Sequence, residues 1–169
     1  SKAAIRLGVT KMSANRCFDE IEYLNVDILG MKGKSRVITV PADIQKLWND
    51  VRVILRNPVI ARYELKEDIQ LGKKAGITAL CEYSLLSDNE YPTYAITKKE
   101  ITESGIRKMK QVHSGEEIGC VVLELGYFID FKNKKLEDPL SVTLSLTESE
   151  KQDERIGISI KMMLEEYVW

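Results

Sequence analysis

A chain of 169 residues, 44% hydrophobic and 30% charged, has room for one large domain or a small one joined to a medium one, and its composition excludes disorder. No apolar run approaches the roughly 20 residues of a membrane span, and nothing resembles a signal peptide. The formal net charge of −1 is unevenly spread: residues 1–40 hold seven Lys and Arg against four acids, a balance of +3, and the remainder stands at −4. Such asymmetry is what a nucleic-acid-binding module joined to a neutral-to-acidic domain would show. Cys17, Cys81 and Cys120 are odd in number and far apart. They read as small buried residues of a reducing, cytoplasmic compartment and not as a disulfide framework.

In chain order, Ala3-Ala4-Ile5-Arg6-Leu7 favours a short helix that stops at Gly8, a natural cap. Thr10 is an N-cap candidate for a second helix running to about Leu24. In it Ala14, Cys17, Phe18, Ile21 and Leu24 recur at three- and four-residue steps, which predicts one buried face. Helix, tight glycine turn and amphipathic helix together read as a helix-turn-helix. Ile28-Leu29-Gly30-Met31 and Arg36-Val37-Ile38-Thr39-Val40 then flank Lys32-Gly33-Lys34-Ser35, the pattern of a hairpin. In that position a hairpin is a wing.

Pro41 ends the hairpin, and a helix over 42–55 carries Ile44, Leu47, Trp48, Val51, Ile54 and Leu55. The domain boundary is expected near Pro41, with 1–41 a winged helix-turn-helix. That helix is then the connector or the first element of a mixed α/β domain over 42–169. Residues 59–65 alternate like a strand, 76–86 suggest a helix, and 93–96 a strand followed by a polar helix or turn at 98–104. The apolar run 118–131 predicts a central strand, or a hairpin bent near Gly126. Leu140, Val142, Leu144 and Leu146 alternate with Ser and Thr, favouring a strand, although Asp138-Pro139 is also a helix opening. A terminal helix spans 150–167, with Ile156, Ile160, Met163, Leu164 and Tyr167 inward.

The residues suited to chemistry lie in the first part. On the second helix the exposed N-terminal positions are Thr10, Lys11, Met12, Ser13, Asn15 and Arg16. Arg grips guanine bidentately, Asn pairs with adenine, and Thr or Ser reaches bases or phosphates, with Lys11 a phosphate contact. Lys32, Lys34, Ser35 and Arg36 would follow the phosphate backbone or enter the minor groove. A solvated helix face and an edge-protecting lysine pair are the alternative readings of the same residues. Elsewhere His113, Glu116 and Glu117 read as loop residues and not as a metal site. Asp153-Glu154-Arg155 reads as a helix first turn. No Cys-x-x-Cys, phosphate loop, dinucleotide-binding glycine pattern or nucleophile elbow is present, so neither an enzyme nor a cofactor is expected.

Leu7-Gly8-Val9-Thr10-Lys11-Met12-Ser13-Ala14-Asn15-Arg16, with Lys32-Gly33-Lys34-Ser35-Arg36, resembles the winged-helix domain of MarR-type bacterial regulators. Gly76-Ile77-Thr78-Ala79-Leu80, Tyr83-Ser84-Leu85-Leu86, Tyr94-Ala95-Ile96, Asp138-Pro139-Leu140-Ser141 and Asp153-Glu154-Arg155 resemble parts of the antitoxins of abortive-infection (type IV toxin–antitoxin) systems. The resemblance implies a transcriptional repressor of its own operon, acting on double-stranded DNA, whose second domain has a further antitoxin role. It implies no catalytic residue. It leaves room for a homodimer and for a protein partner or small effector on the second domain. A winged helix ordinarily has a further helix before the one ending at Leu7. Residues 1–41 lack it, and the apolar face this leaves is expected to promote self-association. Two other readings are a protein-interaction module using the winged helix as scaffold and, less favoured, a nucleotide-handling enzyme.

Overall fold

The computed structural model describes residues 2–7, 9–87, 90–127 and 135–169. The chain divides into two compact units, Ser1–Leu55 and Arg56–Trp169. The division therefore falls at residue 55 and not near Pro41, because the helix at 44–51 clusters with the first unit. Helices and two sheets make the whole a mixed α+β protein.

The first unit begins with α1, Lys2–Leu7, and α2, Lys11–Tyr23. The expected cap Gly8 lies outside the described residues; the Val9 amide returns to the Ala4 carbonyl at 3.0 Å. Thr10 is extended and its hydroxyl accepts the Ser13 amide at 3.0 Å, satisfying a donor the helix itself leaves orphaned. Asn25, at φ 54°, ends the helical path in the left-handed region that asparagine tolerates. Strands β1, Leu29–Lys32, and β2, Ser35–Ile38, pair antiparallel with Lys32 opposite Ser35, which leaves Gly33-Lys34 as a two-residue turn. Gly33 sits at φ 62°, so the turn twists as the strands do. Helix α3, Ile44–Val51, is capped by Asp43, whose carboxylate accepts the Lys46 amide at 2.8 Å. It is shorter than the expected 42–55: the apolar stripe continues, but the chain passes into turns after Val51, and Ile54 and Leu55 are exposed.

The buried face expected of α2 is narrower than its periodicity suggests. Ala14 is buried and Phe18 and Ile21 half-buried, whereas Cys17 and Leu24 are exposed. Among the described residues the elements packed against α2 are the six-residue α1 and the hairpin strand β1, and the flanks of the stripe stay in solvent.

The second unit is built on a sheet of order β3-β6-β5-β4. Its centre is β6, Cys120–Leu125, buried throughout, antiparallel to β3, Val59–Leu65, and parallel to β5, Thr93–Thr97. The two-residue β4, Lys73–Lys74, pairs with β5. Successive residues of β6 point to opposite faces and feed two cores. Cys120 and Val122 join Leu65, Tyr94, Ile96, Ile101 and Ile106; Val121, Leu123 and Leu125 join Ala75 and Ala95. A Cβ on Gly119 would meet the Lys66 carbonyl oxygen at 2.2 Å, so glycine alone lets β6 enter the sheet this closely.

Helix α4, Gly76–Tyr83, precedes β5, and α5, Lys98–Ser104, follows it behind a reciprocal cap between Thr97 and Glu100. The expected strand over 118–131 is six residues long; 128–131 lie outside the described residues. The expected strand over 140–147 is instead a helix, α6, Pro139–Ser145. Asp138 accepts the Ser141 amide at 2.9 Å and Pro139 occupies the first turn, and this cap prevails over the alternation. Val142 and Leu146, four apart within that alternation, supply the buried face. The terminal helix is two helices, α7, Glu148–Lys151, and α8, Glu154–Tyr167, each with its own cap, Thr147 and Asp153. Tyr83 on α4 and Tyr167 on α8 meet edge to face, centroids 4.9 Å apart. Among the described residues no helix is long and apolar enough to cross a membrane.

Candidate nucleic-acid interface

The residues expected to meet DNA fall into three groups in the first unit. Thr10 and Ser13 are occupied with each other: their hydroxyls are 2.9 Å apart and the Thr10 oxygen also caps α2. Their task is helix initiation before it is recognition. Lys11, Met12, Asn15 and Arg16 are exposed, as are Lys32, Lys34 and Ser35 around the hairpin turn. Among the described residues Lys11, Arg16, Lys32 and Lys34 have no ion-pair partner.

Arg36 is placed differently. Its Nη1 donates to Asp19 Oδ1 at 2.5 Å and lies 3.6 Å from Glu22 Oε2. Nη2 donates to the Asn15 carbonyl at 3.4 Å, and the guanidinium stands 5.2 Å above the centre of the Phe18 ring. The side chain is turned from the hairpin onto α2. That Asp19 and Glu22 hold Arg36 is not among the sequence expectations. Their three-residue spacing was the available signal, since it sets two carboxylates side by side on a helix.

Two buried carboxylates of the second unit, Glu124 and Glu137, have opposite fates. Glu124 on β6 accepts the Tyr63 hydroxyl at 2.8 Å and Arg107 Nη2 at 3.0 Å on both oxygens, while Arg107 Nε reaches the Tyr63 oxygen at 3.3 Å. Burial raises the Glu124 pKa, but these two partners outweigh it and hold the carboxyl below its usual range. Glu137, by contrast, is buried, and neither carboxylate oxygen has a hydrogen-bond partner at good geometry. Burial first, then the neighbouring Asp138 charge, push its pKa up to about 8, against the pull of the Gly76 amide, Lys73 and Ser145. Burial likewise moves Tyr83 to about 12 while its hydroxyl donates to the Glu137 carbonyl at 2.8 Å.

Of the loop residues weighed for metal binding, Glu116 is engaged by Lys66 and by the His113 amide, and these two contacts lower its pKa. Among the described residues no group of three His, Cys, Asp or Glu is placed to hold a metal ion. Asp153 and Arg155, 2.9 Å apart at the start of α8, border a cleft of about 500 Å³ lined also by Ile77, Leu86 and Tyr91. Comparison of the chain with protein families, with curated proteins and with solved structures finds no match.

Proposed function

We propose that the protein is a DNA-binding transcriptional regulator, a repressor of its own operon of antitoxin-like type. In this reading the first unit is a winged helix-turn-helix: the N-terminal half of α2 enters the major groove and the hairpin follows the phosphates. The supporting observation is the set of exposed cations Lys11, Arg16, Lys32 and Lys34, which have no ion partner among the described residues and lie on an element order of helix, helix and hairpin. Four such cations on one small unit would suit a polyanionic ligand. Arg16 and Asn15 are assigned to base edges, Lys11, Lys32, Lys34 and Ser35 to phosphates. The second unit serves dimerisation or holds a partner or small effector, for which the cleft beside Tyr91 is the candidate seat.

The test is titration of the protein with the promoter of its own operon and with a scrambled duplex across a salt series. Binding that prefers the promoter and falls steeply with salt is expected. Arg16→Ala should cost about 1–3 kcal/mol on the promoter and little on the scrambled duplex. Binding that is absent, or equal on both duplexes, would overturn the proposal. It would favour a protein-interaction module instead, a reading that draws on Met12 and Met31, exposed at 66% and 67% among the same cations.

A further inference from the structure

We infer that Arg36 is a positioning residue of the interface: it latches the hairpin to α2 and masks the carboxylates of Asp19 and Glu22, and it does not itself contact DNA. The inference rests on the DNA-binding reading and reassigns one residue within it. Four contacts converge on one guanidinium: Asp19, Glu22, the Asn15 carbonyl and the Phe18 ring. An isolated exposed ion pair holds a side chain weakly, but a fork shared by two carboxylates, a carbonyl and a ring face fixes both its position and its plane.

The electrostatic consequence is specific to a polyanionic partner. Asp19 lies one turn beyond Asn15 and Arg16 on α2, and both carboxylates are largely exposed, at 64% and 71% of their side-chain surface. Unmasked, they would stand beside the groups assigned to bases and repel the phosphates that Lys32 and Lys34 are to meet. With Arg36 across them, that charge is partly cancelled and the hairpin is fastened to the helix in the same stroke. Lysine cannot reproduce this, since its single ammonium lacks the fork and the planar face.

A mutant cycle tests the assignment. Promoter affinity and its salt dependence are measured for the wild type, Arg36→Ala, the Asp19→Asn/Glu22→Gln pair and the combination of all three. Arg36→Ala is expected to weaken binding several-fold without the loss of about one counterion from the salt slope that a lost phosphate contact gives. In the background without Asp19 and Glu22 carboxylates, the same substitution should cost clearly less, since only the Asn15 carbonyl and the Phe18 ring are left to hold the guanidinium. A slope lowered by about one, with an equal loss in both backgrounds, would make Arg36 a direct phosphate contact and overturn the inference. If the wild type binds no DNA, the functional reading fails by itself. The latch is then decided on the free protein by amide exchange of Gly30 and Val37, which face each other across the hairpin. Faster exchange in Arg36→Ala, with no further change when Asp19 and Glu22 are also neutralised, supports it; exchange unchanged by Arg36→Ala removes it.

Discussion

The two units hold themselves together by different means. In the second, apolar side chains fill both faces of β6, and its basic residues are largely matched: Arg62 with Glu64, Lys66 with Glu116, Lys74 with Glu82, Lys99 with Glu103 and Arg107 with Glu124. In the first, Ala4, Ala14 and Trp48 are the buried apolar residues among those described, while Ile5, Leu7, Met12, Tyr23 and Met31 stand in solvent. Its caps are good and its cations mostly unpaired. The second unit has a filled core and many paired charges; the first has a small core and, among the described residues, Arg36 as its ion-paired cation. The division of labour proposed above, with recognition in the first unit and a self-sufficient body in the second, draws on that contrast.

The contrast can be broken most forcefully in the core. Ile106→Ala should destabilise the second unit by about 2–5 kcal/mol in denaturant melts, whereas Met31→Ala should move the first by no more than about 0.5 kcal/mol. Comparable effects of the two would dissolve the distinction.

Next in size is Glu137. Its carboxyl carries a proton in the folded chain up to about pH 8, against a usual value of 4.5. The folded state therefore binds more protons than the unfolded one between those values, and stability falls as pH rises from about 4.5 to about 8, levelling above. Glu137→Gln should flatten that slope and raise the melting temperature near pH 8. A slope unchanged in the variant would show that other groups cause it.

The smallest expected effect is at the matched pair. Glu124 is held below its usual range, so its contribution is present at neutral pH and lost as pH falls through its folded value. Arg107→Ala should lower the melting temperature at pH 7, with the gap to the wild type closing in acid. A gap independent of pH would mean that Arg107 contributes by packing alone.

What was legible in the sequence was local. The Ala14, Phe18 and Ile21 stripe, the turn at Gly33-Lys34 and the strand at 59–65 each depend on neighbours within a few residues, and each emerges where periodicity and turn chemistry put it. At 138–146 two local signals conflicted, and a capping hydrogen bond from the Ser141 amide to the Asp138 carboxylate outweighed an alternation whose Val142 and Leu146 serve a helix equally well. What could not be read was set at a distance. Lys73–Lys74 is a strand because β5 on one side and the segment around Leu136 on the other are beside it, and Glu124 is tolerable in an apolar strand because Tyr63 and Arg107 arrive from elsewhere. Arg36 was legible as a cation on a hairpin, but its inward turn depends on carboxylates fourteen and seventeen residues earlier in the sequence.

The central position of β6 also dictates an order of events during synthesis. Strands β3 and β5 do not touch each other; each pairs with β6, which is made after both. At about 5–20 residues per second, several seconds separate the appearance of Leu65 from that of Leu125. Through that interval Val59–Leu65 has neither its β6 partner nor the core beneath it. The sheet closes from the inside, by insertion of its last strand between two that have waited for it, and a nascent chain stalled short of Cys120 would present both as open edges to any other chain nearby.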